Sequence, residues 1–354
     1  MKAVFDDRQW RHDPKFFMAN GTRLPSPEQP ERIARLKAAA EAAGCVFEAP
    51  ADHGMGPLAA VHSPEYLHFL RTIYPRWRRI EGAGEEVIPN IHPASRADGY
   101  PKSAVGQAGW HQADTACPIA EHTWEAAYWS AQTALSAADL VLGGARAVYA
   151  LSRPPGHHAY RDLAGGFCFL NNAAIAAEHL LRAGRRPAIL DVDVHHGNGT
   201  QGIFYARGDV LTVSIHAHPE RFYPFFWGYP QERGEGAGLG ANLNLALPRG
   251  TDDAGYLAAL DTALARIDAF GADVVVVALG LDAHVNDPFQ GLAVTTEGFG
   301  RITGAIAGLG RPQLYVQEGG YLSPDRGPNL TAALSGAAAC ARPTSSSSAA
   351  ASPG

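Results

Sequence analysis

Short apolar runs and helical apolar stripes take turns along most of the chain. Pro187 to Val192 is a brief continuous apolar run, and Val210 to Ile215, Asp273 to Leu279 and Gln313 to Gln317 repeat the pattern. Runs of this length between polar residues predict strands. The unbroken valines from Val274 to Val277 predict one buried on both faces. Between these runs, apolar residues recur at helical spacing. Asn171 to Ala183 is stopped by Gly184. Asp252 to Phe270 opens on two aspartates, which suit a helix N-terminus, and stops at Gly271. Thr296 to Leu309 reads as a third helix, interrupted by glycines. Upstream, Glu28 to Ala43 and Thr123 to Leu142 read as helices, and Ala145 to Leu151 as a strand. Strands and helices in alternation predict an α/β domain whose strands pair in parallel between layers of helices. In such a sheet ligands gather at the carboxyl ends of the strands.

Two stretches depart from this rhythm. Tyr74 to His111 mixes prolines, glycines and charges without a period. A loop of that length in a compact domain predicts a functional element or a partner contact. Arg342 to Gly354 is mostly Ser, Ala and Pro, which predicts a disordered tail (342–354) after a single domain spanning 1–341.

Composition narrows the class of molecule. The 354 residues are 46% hydrophobic and 18% charged, enough for a sizeable core in a globular protein. The net charge of −6, without a basic block, argues against nucleic acid and suits a cationic ligand. Cys45, Cys117, Cys168 and Cys340 are scattered. They predict reduced thiols in a cytoplasmic protein, neither a disulfide framework nor a cysteine zinc site. Met1 to Phe5 turns charged at Asp6, Asp7 and Arg8, which is no signal peptide. No apolar run reaches the roughly 18 residues of a membrane span.

The polar clusters each follow a predicted strand. Asp191-Val-Asp193-Val-His195-His196-Gly-Asn198-Gly-Thr200 follows Pro187–Leu190. Alternate residues of an extended chain share a face, so Asp191, Asp193 and His195 point one way. Two carboxylates and an imidazole at a buried strand end suit zinc, iron or manganese. A solvated turn is the plain alternative, but burying such groups without partners is costly. Arg153-Pro-Pro-Gly-His157-His158 follows Ala145–Leu151. Its two histidines read as rigidly held acid/base groups, with Asp191 and Asn198 available to fix their tautomers. Gly280-Leu281-Asp282 closes Asp273–Leu279 and completes a set of three ligands with Asp193 and His195. His284 then stays a loop histidine, because a catalytic metal keeps one position open. Glu318-Gly-Gly-Tyr321 follows Gln313–Gln317; its glycines allow close approach, and its hydroxyl suits polarising a carbonyl. Gly234-Glu-Gly-Ala-Gly-Leu-Gly240 imitates a phosphate loop, but the strand-like Asn242 to Leu247 follows it where a dinucleotide site needs a helix.

In this order, R-P-P-G-H-H, G-G-F-C-F-L-N-N, D-V-D-V-H-H-G-N-G-T, G-L-D and E-G-G-Y resemble the histone deacetylase superfamily, from about Phe5 to Leu334. Thr123-Trp-Glu-Ala-Ala, the insert at about 74–111 and Phe204-Tyr-Ala-Arg-Gly-Asp-Val are similar to its bacterial acetylpolyamine amidohydrolases. The resemblance implies the arginase-deacetylase fold, a single domain with a mainly parallel eight-stranded sheet flanked by helices. It implies zinc on Asp193, His195 and Asp282, with ferrous iron as the cellular alternative. His158, paired with Asn198, would be general base and then acid. His157, paired with Asp191, would be its electrostatic partner, and Tyr321 would donate to the oxyanion. Gly166, Phe167 and Tyr223 would wall a narrow tunnel, with tyrosine standing at a position where phenylalanine is usual. Structural potassium would sit at Asp191, Asp193, His195, Ser214 and Ile215, and again at Phe204, Arg207 and Val210. Asp114, or else Glu121, would meet the distal ammonium of the substrate. The insert, which contains Glu85 and Glu86, would form a homodimer and shut out bulky proteins.

The implied activity is zinc-dependent hydrolysis of the acetyl amide of acetylated polyamines such as acetylputrescine and acetylcadaverine, without nucleic acid or membrane as partner. A lysine deacetylase acting on proteins or peptides is the nearest alternative. An inactive polyamine-binding protein is an alternative of another class. An arginase-like, two-manganese ureohydrolase would need further bridging aspartates, and the His157-His158 pair with E-G-G-Y points elsewhere.

Overall fold

The computed structural model describes residues 1–96 and 99–339, so the tail expected at 342–354 and Cys340 lie outside the described residues. The chain opens with β1 (Lys2–Val4), then a separate antiparallel hairpin of β2 (Phe16–Ala19) and β3 (Thr22–Pro25). Next come α1 (Glu31–Ala42), β4 (Val46–Glu48), α2 (Gly56–Val61), α3 (Pro64–Trp77), α4 (Ala104–His111) and α5 (Thr123–Leu142). The remainder runs β5 (Ala147–Ala150), α6 (Asn172–Arg182), β6 (Pro187–Asp191), α7 (Asn198–Phe204), β7 (Leu211–Ala217), β8 (Asn242–Leu247), α8 (Asp253–Phe270), β9 (Val274–Leu279), α9 (Thr296–Gly308), β10 (Gln313–Gln317) and α10 (Arg326–Ala339).

The described residues place eight strands in one sheet, in the order β4-β1-β5-β10-β9-β6-β7-β8. Every neighbouring pair is parallel, so this sheet is wholly rather than mainly parallel. The order matters for chemistry. The four strands that precede the polar motifs are scattered along the chain, yet they stand side by side as β5-β10-β9-β6.

Side-chain alternation feeds two cores. Val274, Val276, Ala278, Leu314 and Val316 face a layer that includes α3, α5 and α6. Val275, Val277, Leu279 and Tyr315 face one built from α1, α8, α9 and α10. Each fully buried valine contributes about 1.5–3 kcal/mol, so the valine run on β9 is a main anchor of the sheet centre.

The elements depart from the sequence pattern where polar residues do tertiary work. The helix expected from Glu28 begins only after Pro30, and the Glu28 carboxylate is buried against the guanidinium groups of Arg32 and Arg153. The segment 74–111 is less irregular than its composition suggests. Tyr74 to Trp77 closes α3, whose stripe of Leu67, Leu70, Ile73 and Trp77 enters the core. At its far end, Ser103 accepts from the Gly106 amide and starts α4. The hairpin was not foreseen, although Asn20-Gly21, both at positive φ, is a strong turn signal.

Candidate active site and metal centre

Asp193 and His195 follow β6, and Asp282 follows β9, so adjacent strands bring them together. Their ligand atoms lie within 4.8 Å of one another. His195 Nδ1 is 3.1 Å from Asp193 Oδ1 and 3.3 Å from Asp282 Oδ2. Main-chain amides fix the carboxylates. His195 N donates to Asp193 Oδ1 (2.9 Å), Gly319 N to Asp193 Oδ2 (2.8 Å), and Val194 N to Asp282 Oδ1 (3.0 Å). Gly319 also leaves room, since a Cβ there would run into the Asp193 and Asp282 carboxylates. That is a better reason for this glycine than freedom for the tyrosine.

The charges at this point do not balance among protein groups alone. Burial opposes ionisation of Asp193, but His157 and His195 hold it low. Burial and Asp193 together push Asp282 up. Burial also opposes a charge on His195, but the two carboxylates raise it to about 9. Asp282 Oδ2 is buried and makes no directed hydrogen bond among the described residues. A buried carboxylate oxygen that touches only an imidazole, beside a second carboxylate, fits a divalent cation, with Asp193, His195 and Asp282 as the residues that could hold it.

The histidine pair stands over this trio, with ring centroids 4.0 Å apart. His157 Nδ1 meets Asp191 Oδ2 at 2.9 Å. Burial opposes a charge on His157, but Asp191 and Asp193 overcome it and hold the pKa well up. His158 Nδ1 meets Asn198 Oδ1 at 2.6 Å. The Asn198 amide donates its own Nδ2 to Tyr160 Oη (3.3 Å), which orients its oxygen toward the imidazole. His158 therefore carries its proton on Nδ1 and leaves Nε2 as a lone pair. Burial, then the charges of His157 and His195, hold it well below the usual histidine range, so the ring is neutral.

Two anchors were not foreseen. Glu318 Oε2 accepts from Gly156 N (2.7 Å) and His157 N (3.1 Å), so the end of β10 grips the turn that carries the histidines. Burial raises Glu318 to about 7. Arg32 donates to Glu318 O (2.7 Å) and Gly320 O (2.9 Å), pinning the same loop from the other side. His157, Cys168 and Glu318 also converge. There, however, Cys168 Sγ donates to Gly166 O, and burial pushes its thiol well up, away from a ligating thiolate.

Aromatic rings surround these groups. Tyr321 packs against Phe167 (5.7 Å) and Phe289 (4.9 Å), and its main-chain N donates to Asp287 Oδ2 (3.2 Å). Burial pushes its hydroxyl up, so it stays a donor. Phe222 stacks on His195 at 5.0 Å, and Tyr223 meets the His158 ring edge-on at 4.9 Å. Phe17, on the β2–β3 hairpin, packs on Phe167 at 5.6 Å. Phe222, Phe289 and Phe17 were missed, because a single aromatic in a loop has no period to mark it.

The remaining candidates fall as follows. Asp114 reaches Gly166 and Tyr223, whereas Glu121 has a side chain 68% exposed, with His122 beside it. Glu86 is buried and accepts from Lys15 N (2.5 Å), which ties the insert to the hairpin; Glu85 is exposed. Asp191 and Ser214 are register partners on β6 and β7, and Ile215 follows on β7. Phe204 closes α7 and accepts from Arg207 N (2.9 Å), and Val210 is buried just before β7.

Comparison with known proteins agrees with this geometry. The histone deacetylase domain model matches residues 26–336. The acetylpolyamine amidohydrolase of Burkholderia pseudomallei (strain 1710b) is 49% identical over 322 residues, covering 91% of this chain and 94% of that protein. That of Mycoplana ramosa is 40% identical over 342 residues, covering 96% and 100%. A crystal structure of the acetylpolyamine aminohydrolase from Burkholderia pseudomallei superposes with a TM-score of 0.93 at 47% identity, over 96% of this chain and 99% of that one. The HDA15 HD domain superposes at 0.75 with 29% identity, over 96% and 90%. The chain therefore belongs to the histone deacetylase family, in its acetylpolyamine amidohydrolase branch.

Proposed function

We propose that this chain hydrolyses the acetyl amide of acetylated polyamines to acetate and free amine. The observation that carries the reading is a neutral His158, its Nε2 free, beside the Asp193–His195–Asp282 trio, in a chain 40–49% identical to acetylpolyamine amidohydrolases. Asp193, His195 and Asp282 would hold zinc, which when bound polarises a carbonyl and acidifies water. His158 Nε2 takes the proton of the attacking water and returns it to the leaving amine. Asn198 keeps that nitrogen unprotonated at the start. His157, held cationic by Asp191, opposes a lasting positive charge on His158 and so favours proton return. Tyr321 donates to the acetyl oxygen as negative charge grows there. Gly166, Phe167 and Tyr223 border a passage that suits a slender aliphatic chain better than a folded protein.

Several features accompany this reading. We place potassium at the Asp191–Ser214 region and beside Phe204, Arg207 and Val210. A homodimer through the 74–111 insert would cover the exposed Ile91 and Tyr100. Among the described residues no helix is long and apolar enough to cross a membrane, and Cys45, Cys117 and Cys168 are free. A cytoplasmic enzyme accords with those thiols.

The test is steady-state turnover of zinc-loaded protein on acetylputrescine, acetylcadaverine and an acetyl-lysine peptide, side by side. Preference for the small diamines is expected. Equal or better turnover of the peptide would move the substrate to acetylated lysine.

A further inference from the structure

The resemblance sets Asp114 against the cationic end of the substrate, yet this half-buried carboxylate is engaged by protein groups. Oδ2 accepts from the Tyr223 hydroxyl at 2.6 Å and from Gly166 N at 3.1 Å, and Oδ1 accepts from Ala116 N at 2.8 Å. A carboxylate offers about four lone-pair directions, so three are taken. Burial and the Asp114 charge push the Tyr223 hydroxyl well up, so it stays protonated and donates.

The groups that Asp114 joins are the two walls proposed for the passage. Phe167 sits at φ +68, after Gly166 at φ +51. Gly165 and Cys168 exchange main-chain hydrogen bonds across them, which closes a tight turn with both central residues left-handed. Phenylalanine is strained there, and strain of this kind persists only where neighbours hold it. The Gly166 amide, the entry to that turn, is held by Asp114. A Cβ on Gly166 would strike the His158 ring and crowd the Tyr223 hydroxyl, so the turn, the base and the tyrosine are in mutual contact. The segment that bears Asp114 is itself fixed: Ala113 N donates to Ala164 O at 2.7 Å, and Met18 N donates to Thr115 O at 3.2 Å.

We infer that Asp114 is a positioning residue that clamps Tyr223 to the Phe167 turn and thereby sets the width of the passage. This rests on the proposed deacetylase activity. The Tyr223 hydroxyl is the other half of the clamp. Asp114 then acts on the substrate through the walls, not by pairing with its ammonium.

The experiment uses the metal-loaded full chain with Asp114→Asn, Tyr223→Phe and the double variant. Each is assayed on acetylputrescine, whose tail is cationic, and on N-acetylbutylamine, whose tail is neutral. For the clamp, each single variant raises KM about tenfold on both substrates with a smaller change in kcat, and the double variant is no worse than either single one. A loss confined to acetylputrescine that persists in the Tyr223→Phe background would make Asp114 the ammonium's partner and overturn the clamp. Unchanged KM on both substrates would overturn it as well. Tyr223→Phe removes one oxygen only, so it reports even if Asp114→Asn folds poorly. If acetyl-lysine peptide proved to be the substrate, the proposed function would fail, and the same cycle run on the peptide would still decide the clamp.

Discussion

Asp193, His195 and Asp282 at the floor of the candidate site are held by strand ends and three main-chain amides, whereas Asp114, Gly166, Phe167 and Tyr223 at its proposed mouth are held by one another across loops. The floor stands on β6 and β9, at the centre of the sheet, with cores on both faces. The mouth stands on the hairpin, the residues after α4, a strained turn and the loop after β7. Such a division lets the reaction stay fixed while the passage changes, because a loop substitution disturbs few buried contacts.

The sharpest way to break that division is at the floor. Asp282→Ala removes a proposed ligand, so metal analysis should find the ion lost. Turnover should fall by about a thousandfold or more, in line with several kcal/mol of charge stabilisation. Next come the groups proposed to act on protons and the oxyanion. His158→Ala should lower kcat about 10²–10⁴-fold, and Tyr321→Phe about 10²–10³-fold, with the metal retained in both. Unchanged turnover in Tyr321→Phe would remove it from the chemistry.

A smaller effect tests the scaffold beneath the floor. His62 is fully buried; its Nδ1 donates to Tyr160 O (3.0 Å) and its Nε2 accepts from Asn171 N (2.9 Å), so it folds neutral. Burial lowers its pKa to about 4, and burial does the same for His216. Unfolded, both take up protons below about pH 6.5, and the folded chain does not until about pH 4, so stability falls as pH drops through that window. Between about pH 7.5 and about pH 5 each costs about 2 kcal/mol, read by urea unfolding. A His62→Gln variant should lose less over the same interval than the parent; an equal loss would show that His62 does not contribute.

The smallest effect separates mouth from surface. Glu121→Gln should change kcat/KM on acetylputrescine by less than about twofold, because the side chain is largely in solvent. A larger drop confined to cationic substrates would make Glu121 the acid at the mouth.

Legibility followed the same boundary. β5, β6, β9 and β10 were readable because buried parallel strands are continuous apolar runs, and the motifs after them named the candidate ligands, the histidine pair and Tyr321. β1, β4 and the hairpin were not, being only three or four residues long, with the hairpin strands nowhere fully buried. Glu318 and Gly319 stood within a motif, but their partners on β5, β6 and β9 are distant in sequence. Tyr223 was readable as an unusual residue; its partner was not.

By itself, the sequence marked the candidate groups for the chemistry, since residue type and strand periodicity are local properties that survive without the fold. Only the tertiary structure decided that four scattered strands become neighbours, that a glycine makes room for two carboxylates, and that Asp114 faces Tyr223. Those facts depend on the order of strands in the sheet and on loops meeting across it, and no local pattern of residues encodes such meetings.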